Sequence, residues 1–237
     1  MTPLPGSAVI LAGGLGTRLR GVLPDCPKVL APVRGRPFLS YLLDQLADAG
    51  VVDVILATGY RADLVETAFG ASYRTMTLRY SAEKTPLGTA GALANARRLL
   101  PDGPCLTLNG DSMCDTDLAA FWSWSALRRA SAALVAVRVP DASRYGTVAL
   151  DGERVVAFEE KRVRTGSQWI NAGIYFLGAD VTASLDPTRP ASLERDVLPA
   201  RVGKGLLAFP VDAPFLDIGL PDSYASASVF LEDEPGV

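Results

Sequence analysis

Three glycines and an arginine crowd the segment Leu11-Ala12-Gly13-Gly14-Leu15-Gly16-Thr17-Arg18-Leu19. Glycine lets a backbone come close to an anion and accept positive φ. Amides turned inward then form a concave nest for phosphate oxygens. Arg18 adds a forked, permanently charged set of donors. The Walker pattern is absent, because no Gly-Lys-Ser/Thr closes the loop. The dinucleotide fingerprint fails as well, since Gly14-x-Gly16 is not followed by Gly or Ala at Leu19. By itself the segment also reads as a tight strand-to-helix turn with no ligand. Downstream, Pro27-Lys28-Val29-Leu30 places a second cation after a rigid proline.

The acidic candidates lie much further along. Asn109-Gly110-Asp111 closes an apolar run, and Asp217 follows Pro214–Leu216 and precedes Ile218-Gly219. Ligands collect at strand ends in open α/β sheets, and two carboxylates from separate strand ends could hold one Mg²⁺. Each Asp would alternatively cap a turn or a helix. The chain has no histidine, which excludes Ser-His-Asp chemistry and His-ligated zinc. Catalysis must rest on carboxylates, Lys, Arg, backbone amides or a hard metal ion. A net charge of −3 with dispersed Lys and Arg speaks against a nucleic-acid partner. Met1–Ser7 lacks a signal-peptide pattern, and Ala8–Ala12 is far too short to span a bilayer. Cys26, Cys105 and Cys114 are an odd set without metal spacing. A reduced cytoplasmic setting with no membrane partner is expected, and the cysteines read as packing residues.

These residues need elements to position them. Ser7–Ala12 reads as a buried strand, Pro37–Ala49 as a helix with apolar residues at helical spacing, and Asp53–Ala57 as a second strand. Arg61–Phe69 reads as a helix, Met76–Tyr80 as a strand and Thr89–Leu100 as a helix. Pro104–Leu108 follows as a strand, Asp117–Arg128 as a helix and Ala132–Val139 as a strand. Such alternation implies an open α/β sheet with crossover helices. Gly146–Leu150, Arg154–Glu159 and Trp169–Leu177 make the second half strand-rich, with Asp151-Gly152 as a hairpin turn. Pro221–Leu231 reads as a final helix, and Ser192, Glu194 and Asp196 as a local helix cap. One compact domain over 1–237 is the simplest organisation.

Together, G-G-x-G-T-R-L and P-K-x-L closely resemble the signature of the sugar-1-phosphate nucleotidyltransferases, and the resemblance extends from Leu11 to Tyr224. It implies a mixed, mainly parallel nucleotide-binding sheet flanked by helices. It implies that Arg18 and Lys28 contact nucleotide phosphates, with Leu11, Ala12, Gly13, Gly14, Gly16 and Thr17 forming the loop. Asp111 and Asp217, in L-x-G-D and D-I-G motifs, would be the metal ligands. Glu83-Lys-Thr-Pro-Leu-Gly-Thr-Ala-Gly91 resembles the family's base-recognition segment. There Gly88 would allow close approach and Thr89 would cap the next helix. A carboxylate at Glu83 accepts two hydrogen bonds from guanine N1–H and its amine, whereas thymine and uracil offer one N–H. Otherwise Glu83 is a surface residue.

The resemblance places the sugar phosphate against Asn109, Tyr145, Gly146, Glu159, Glu160, Lys161 and Asn171, with Lys161 neutralising its phosphate. Without it, Glu160 and Lys161 would be a solvated hairpin end and Asn171 a turn residue. Trp169 is the better fit to a core or rim. Family members also place an L-E-x-D segment like Leu193–Asp196 near the sugar.

The implied reaction joins a nucleoside triphosphate to a sugar 1-phosphate and releases pyrophosphate. The attacking phosphate is already a nucleophile and needs no general base. L-N-G-D-S, N-A-G-I-Y, S-L-E-R-D-V-L-P and F-x-D-I-G-x-P most resemble bacterial heptose-1-phosphate guanylyltransferases, with mannose-1-phosphate guanylyltransferases as near neighbours. The segment after Asp217 is too short for the left-handed β-helix of some relatives, and a homodimer is expected by analogy alone. A silent nucleotide-sugar sensor is the non-enzyme alternative, disfavoured because Arg18, Lys28, Asp111 and Asp217 are all present.

Overall fold

The computed structural model describes residues 6–19, 21–143, 145–159 and 167–231. Strand β1 (Ser7–Ala12) is buried along nearly its whole length. Its side chains alternate between two cores. Ala8, Ile10 and Ala12 face one apolar cluster and Val9 the other. A strand covered on both faces reads as a near-continuous apolar run, which explains the unbroken Ala8–Ala12.

Helix α1 (Phe38–Asp48) packs Phe38, Leu42 and Leu46 into the first cluster. Strand β2 (Asp53–Thr58) pairs parallel with β1, helix α2 (Ala62–Phe69) follows, and β3 (Met76–Ala82) pairs parallel with β2. Helix α3 (Gly88–Ala96) lies on the second cluster through Ala90, Leu93 and Ala96. Its small residues let it approach the sheet closely. Strand β4 (Cys105–Asn109) pairs parallel with β1 on the side opposite β2. Strand β5 (Ser112–Cys114) then leaves the main sheet, and α4 (Leu118–Leu127) is capped by Asp117 accepting from Ala120 N–H at 2.8 Å.

Strands β6 (Ala132–Val139), β7 (Thr147–Asp151), β8 (Arg154–Glu159), β9 (Gln168–Leu177) and β10 (Leu206–Val211) complete a ten-stranded sheet. Its order is β7-β8-β10-β6-β9-β4-β1-β2-β3, with short Ser72–Tyr73 at the far edge. The sheet is mixed and flanked by helices, as the family resemblance implied. Strands β3-β2-β1-β4 are parallel, whereas β9 inserts antiparallel between β4 and β6. Strand β11 (Phe215–Asp217) pairs antiparallel with β5 in a separate ribbon.

Four local readings change. The β7–β8 turn is Gly152-Glu153 and not Asp151-Gly152, because Asp151 pairs with Arg154 and only Gly152 takes positive φ. Glycine first is the demand of a type II′ turn. The last helix is two, Pro221–Ala225 and Ala227–Phe230. Between them Ser226 gives both its amide and its hydroxyl to Asp222 O, a back-bond that bends helices. Helix α3 ends at Ala96 and tightens into a 3₁₀ turn at Arg97–Leu99. Strand β10 adds to the predicted strands although Pro210 argues against one. It is tolerated where β10 meets β8 only at Arg154↔Leu207.

The cysteines pack as expected. Cys105 and Cys114 are buried, and burial pushes their thiols up to about 11 and about 12.

Candidate active site

The carboxyl ends of β1 and β4 open into a cleft of about 370 Å³, walled by Gly13, Lys28, Glu83, Thr89, Asp111 and Glu194 among others. Leu11 reaches its wall, while Ala12 is buried beneath. After Gly13 and Gly14 the chain turns through Gly16, at φ +57°, into a 3₁₀ turn at Thr17–Leu19. A Cβ on Gly16 would stand 3.4 Å from Lys28 Cβ. The loop is therefore packed against the Pro27-Lys28 turn, which explains why both motifs belong to one site. Thr17 and Arg18 are exposed and do not line the cleft.

Lys28 Nζ donates to Asp111 Oδ2 at 2.7 Å and lies 3.9 Å from Asp217 Oδ1. The lysine side chain is only 11% exposed. The β5–β11 ribbon makes this convergence, since its register sets Asp217 opposite Ser112, and Ile218 N–H donates to Asp111 O at 3.0 Å. Asp217 Oδ1 also accepts from Gly219 N–H. Both carboxylates thus reach one point, so the donor set fits a hard divalent cation. Among the described residues no group of three or more His, Cys, Asp or Glu could hold a metal. Protein would supply two oxygens and leave the rest to phosphate and water, the usual habit of Mg²⁺.

Glu83 is half-buried, which sets aside the surface reading. Its amide donates to Thr58 O at 2.9 Å, and its Oε2 accepts from Leu87 N–H at 3.0 Å. Burial pushes its carboxyl above the ordinary value, a shift that the Leu87 amide opposes. Thr89 does not cap α3. The helix begins at Gly88, and the Thr89 hydroxyl instead donates to Glu194 Oε2 at 2.7 Å while accepting from Leu193 N–H. Gly88 takes φ +70°, and a Cβ there would meet Ala191 O at 2.5 Å. Gly88→Ala is therefore expected to destabilise the fold by about 1–3 kcal/mol through clash and left-handed strain. A urea midpoint equal to wild type would refute that account.

Glu194 is the residue that sequence reasoning left aside. Its Oε1 accepts from Tyr175 O–H at 3.0 Å and Asn109 Nδ2 at 3.3 Å. Its Oε2 accepts from Thr89 and from Ser192 O–H at 2.8 Å. Tyr175 O–H in turn accepts from Asn171 Nδ2 at 2.8 Å, and Asn171 Oδ1 accepts from Gly173 N–H. Burial, then the Glu194 charge, hold the Tyr175 phenol well above its usual range. The local cap was legible, as Ser192 Oγ accepts from Arg195 N–H and Asp196 accepts from Ser192 N–H. That signal concealed the inward-facing Glu between them.

The structure brings Asn109 and Asn171 into this network. Asn109 Oδ1 is buried with no hydrogen-bond partner among the described residues, an acceptor facing unmet demand. Tyr145 instead packs edge-on to Phe215, centroids 5.7 Å apart, and Gly146 is exposed beside it; neither lines the cleft. Trp169 carries the Arg138 guanidinium 4.4 Å from its ring centroid, a rim role. Glu160 and Lys161 lie outside the described residues, as does the side chain of Glu159.

The model of the nucleotidyl transferase family matches residues 7–234. A D-glycero-alpha-D-manno-heptose 1-phosphate guanylyltransferase of Aneurinibacillus thermoaerophilus is 36% identical over 226 residues, covering 95% of this chain and 98% of the relative. A mannose-1-phosphate guanylyltransferase of Mycobacterium tuberculosis is 38% identical over 230 residues, covering 94% of this chain but 64% of that longer protein. The crystal structure of HddC from Yersinia pseudotuberculosis complexed with GMP-PN superposes with a TM-score of 0.82 at 34% identity, covering 94% of this chain and 98% of that one.

Proposed function

The chain belongs to the nucleotidyl transferase family, and we propose that it transfers GMP from GTP to a heptose 1-phosphate. A sugar-phosphate oxygen bonds to the α-phosphorus, the bond from that phosphorus to the bridging oxygen breaks, and pyrophosphate leaves beside a GDP-heptose. The observation that carries the chemistry is the convergence of Asp111, Asp217 and Lys28 against the glycine loop. The heptose reading is supported by a relative of that activity matched along almost its full length.

Mg²⁺ held by Asp111 and Asp217 would neutralise phosphate charge and help align the triphosphate. The loop amides bind and orient the phosphates, and Lys28 adds charge where it builds up. Arg18 and Lys161 are proposed to do the same at the rim and on the sugar phosphate. Asn109 Oδ1 is proposed to accept from a sugar hydroxyl. Asn171 is proposed to hold the Tyr175–Glu194 pair in register. Tyr145 and Gly146 are kept as flanking sugar contacts beside β11.

No helix among the described residues is long and apolar enough to cross a membrane. We place the reaction in the cytoplasm on the unpaired cysteines, and dimerisation rests on the family analogy. Mannose 1-phosphate is the second reading, favoured by the 38% identity of the mycobacterial protein. Pyrophosphate release with Mg²⁺, each NTP and a panel of sugar 1-phosphates tests both. GTP with a heptose 1-phosphate is expected to be fastest, and faster turnover of mannose 1-phosphate would transfer the assignment.

Guanine needs the ionised form of Glu83. Its raised pKa means that protonation sets in at a higher pH than for an ordinary glutamate. The KM for GTP should therefore climb as pH falls through that range, while Glu83→Gln flattens the profile. A flat wild-type profile would sink this role.

A further inference from the structure

The Glu83 carboxylate rests against bare backbone. A methyl group on Gly59 would stand 2.8 Å from Glu83 Oε1, 3.1 Å from its Cγ and 2.9 Å from Gly13 O. A methyl on Gly13 would also lie 2.8 Å from Oε1. Neither glycine takes positive φ, so backbone conformation does not demand glycine at either position. Space does.

Gly59 directly follows β2, whose last residue, Thr58, accepts the Glu83 amide at 2.9 Å. The far oxygen of the carboxylate is held by Leu87 N–H. The group is thus fixed from its own segment on one side and seated on a strand end without side chains on the other. Its depth in the cleft depends on nothing projecting from that strand end.

We propose that Gly59 is a specificity-determining position, whose missing side chain lets the Glu83 carboxylate sit deep enough to receive guanine N1–H and its 2-amino group together. The inference rests on the guanine reading of Glu83. Gly59 acts through Glu83, so it is a positioning residue. A methyl there would lift the carboxylate and cost the second hydrogen bond before the first.

ITP tests this, because hypoxanthine keeps N1–H and lacks the 2-amino group. Wild-type protein should prefer GTP over ITP in kcat/KM by about 10-fold or more, the effect of one hydrogen bond to a charged acceptor. Glu83→Ala should bring the ratio near unity; if it does not, the guanine reading falls and this inference with it. With that established, Gly59→Ala should lower the ratio below about threefold although Glu83 is intact. A wild-type ratio in Gly59→Ala, with both substrates slowed alike, would show that the glycine serves only the nearby Gly13 backbone and would overturn the proposal. Should Gly59→Ala fail to fold, Glu83→Asp decides. It withdraws the carboxylate by one methylene without adding an atom at Gly59, and retention of the full GTP preference would equally overturn the role of depth.

Discussion

Asp111→Asn is expected to lower kcat by at least about 10²–10³-fold, the scale on which single groups that stabilise transition-state charge are felt. Asparagine keeps the shape of aspartate, and the side chain is 44% exposed, so the fold has little to lose from steric change. What goes is charge. Lys28 Nζ then faces a neutral amide in place of the carboxylate at 2.7 Å, and among the described residues Asp217, at 3.9 Å, is the one negative charge left beside it. An ammonium so poorly exposed then carries positive charge less well compensated, and stability should fall by about 1–3 kcal/mol. The two effects separate experimentally. Pyrophosphate release at saturating substrates reads the first, and urea denaturation reads the second. The Mg²⁺ concentration for half-maximal activity should rise in the variant, because one hard oxygen donor has become a neutral amide. Near-normal turnover with an unchanged Mg²⁺ requirement would remove Asp111 from the metal site.

Glu194→Ala should be the most destabilising single change in the cleft, because it leaves several buried neutral donors unpaired at once. Its carboxylate accepts from Thr89, Ser192, Asn109 and Tyr175. Truncation strands donors on α3, β4 and β9 at once, and a buried donor without an acceptor costs about 1–3 kcal/mol. Tyr175 is fully buried in the intact protein. Glu194→Gln should be milder, since its carbonyl oxygen still accepts and the Thr89 and Ser192 hydroxyls can rotate. With Thr89 proposed as a nucleotide contact and Asn109 as a sugar contact, KM should rise for both substrates. A urea midpoint for the alanine variant within error of wild type would show that the network is not a clamp.

The saturation of Glu194 also changes its reading. A carboxylate that already accepts four hydrogen bonds from the protein has little capacity left for sugar hydroxyls. The leftover acceptor is Asn109 Oδ1. On the proposed sugar contact at Asn109 Oδ1, the Leu193–Asp196 segment would act by positioning that contact.

Much of the fold was legible, for reasons that differ by element. Strand β1 declares itself because both of its faces are covered, so its residues after Ser7 are all apolar. Helix α1 declares itself by an apolar stripe. Strand β10 and the break at Ser226 do not, because one depends on how few neighbours Pro210 has and the other on a hydroxyl choosing a carbonyl. In the site, the glycine loop and Lys28 are near enough in sequence for their spacing to signify phosphate chemistry by itself. Local composition determines what the backbone can do there, and glycines allow one shape that few other residues allow.

Sequence alone determined the residue types of this site: a glycine nest, cations, and carboxylates without histidine. Tertiary structure decided which of them meet. Asp111 and Asp217 meet at the Lys28 ammonium only because the antiparallel register of β5 and β11 sets Asp217 opposite Ser112. Thr89 looked like a cap until the Leu193–Val197 turn brought Glu194 to it. Sequence left Glu83 between base recognition and the surface, and the room beside Gly13 and Gly59 seats it in the cleft wall. Each outcome turns on contacts between distant segments, and those follow from how the whole sheet packs.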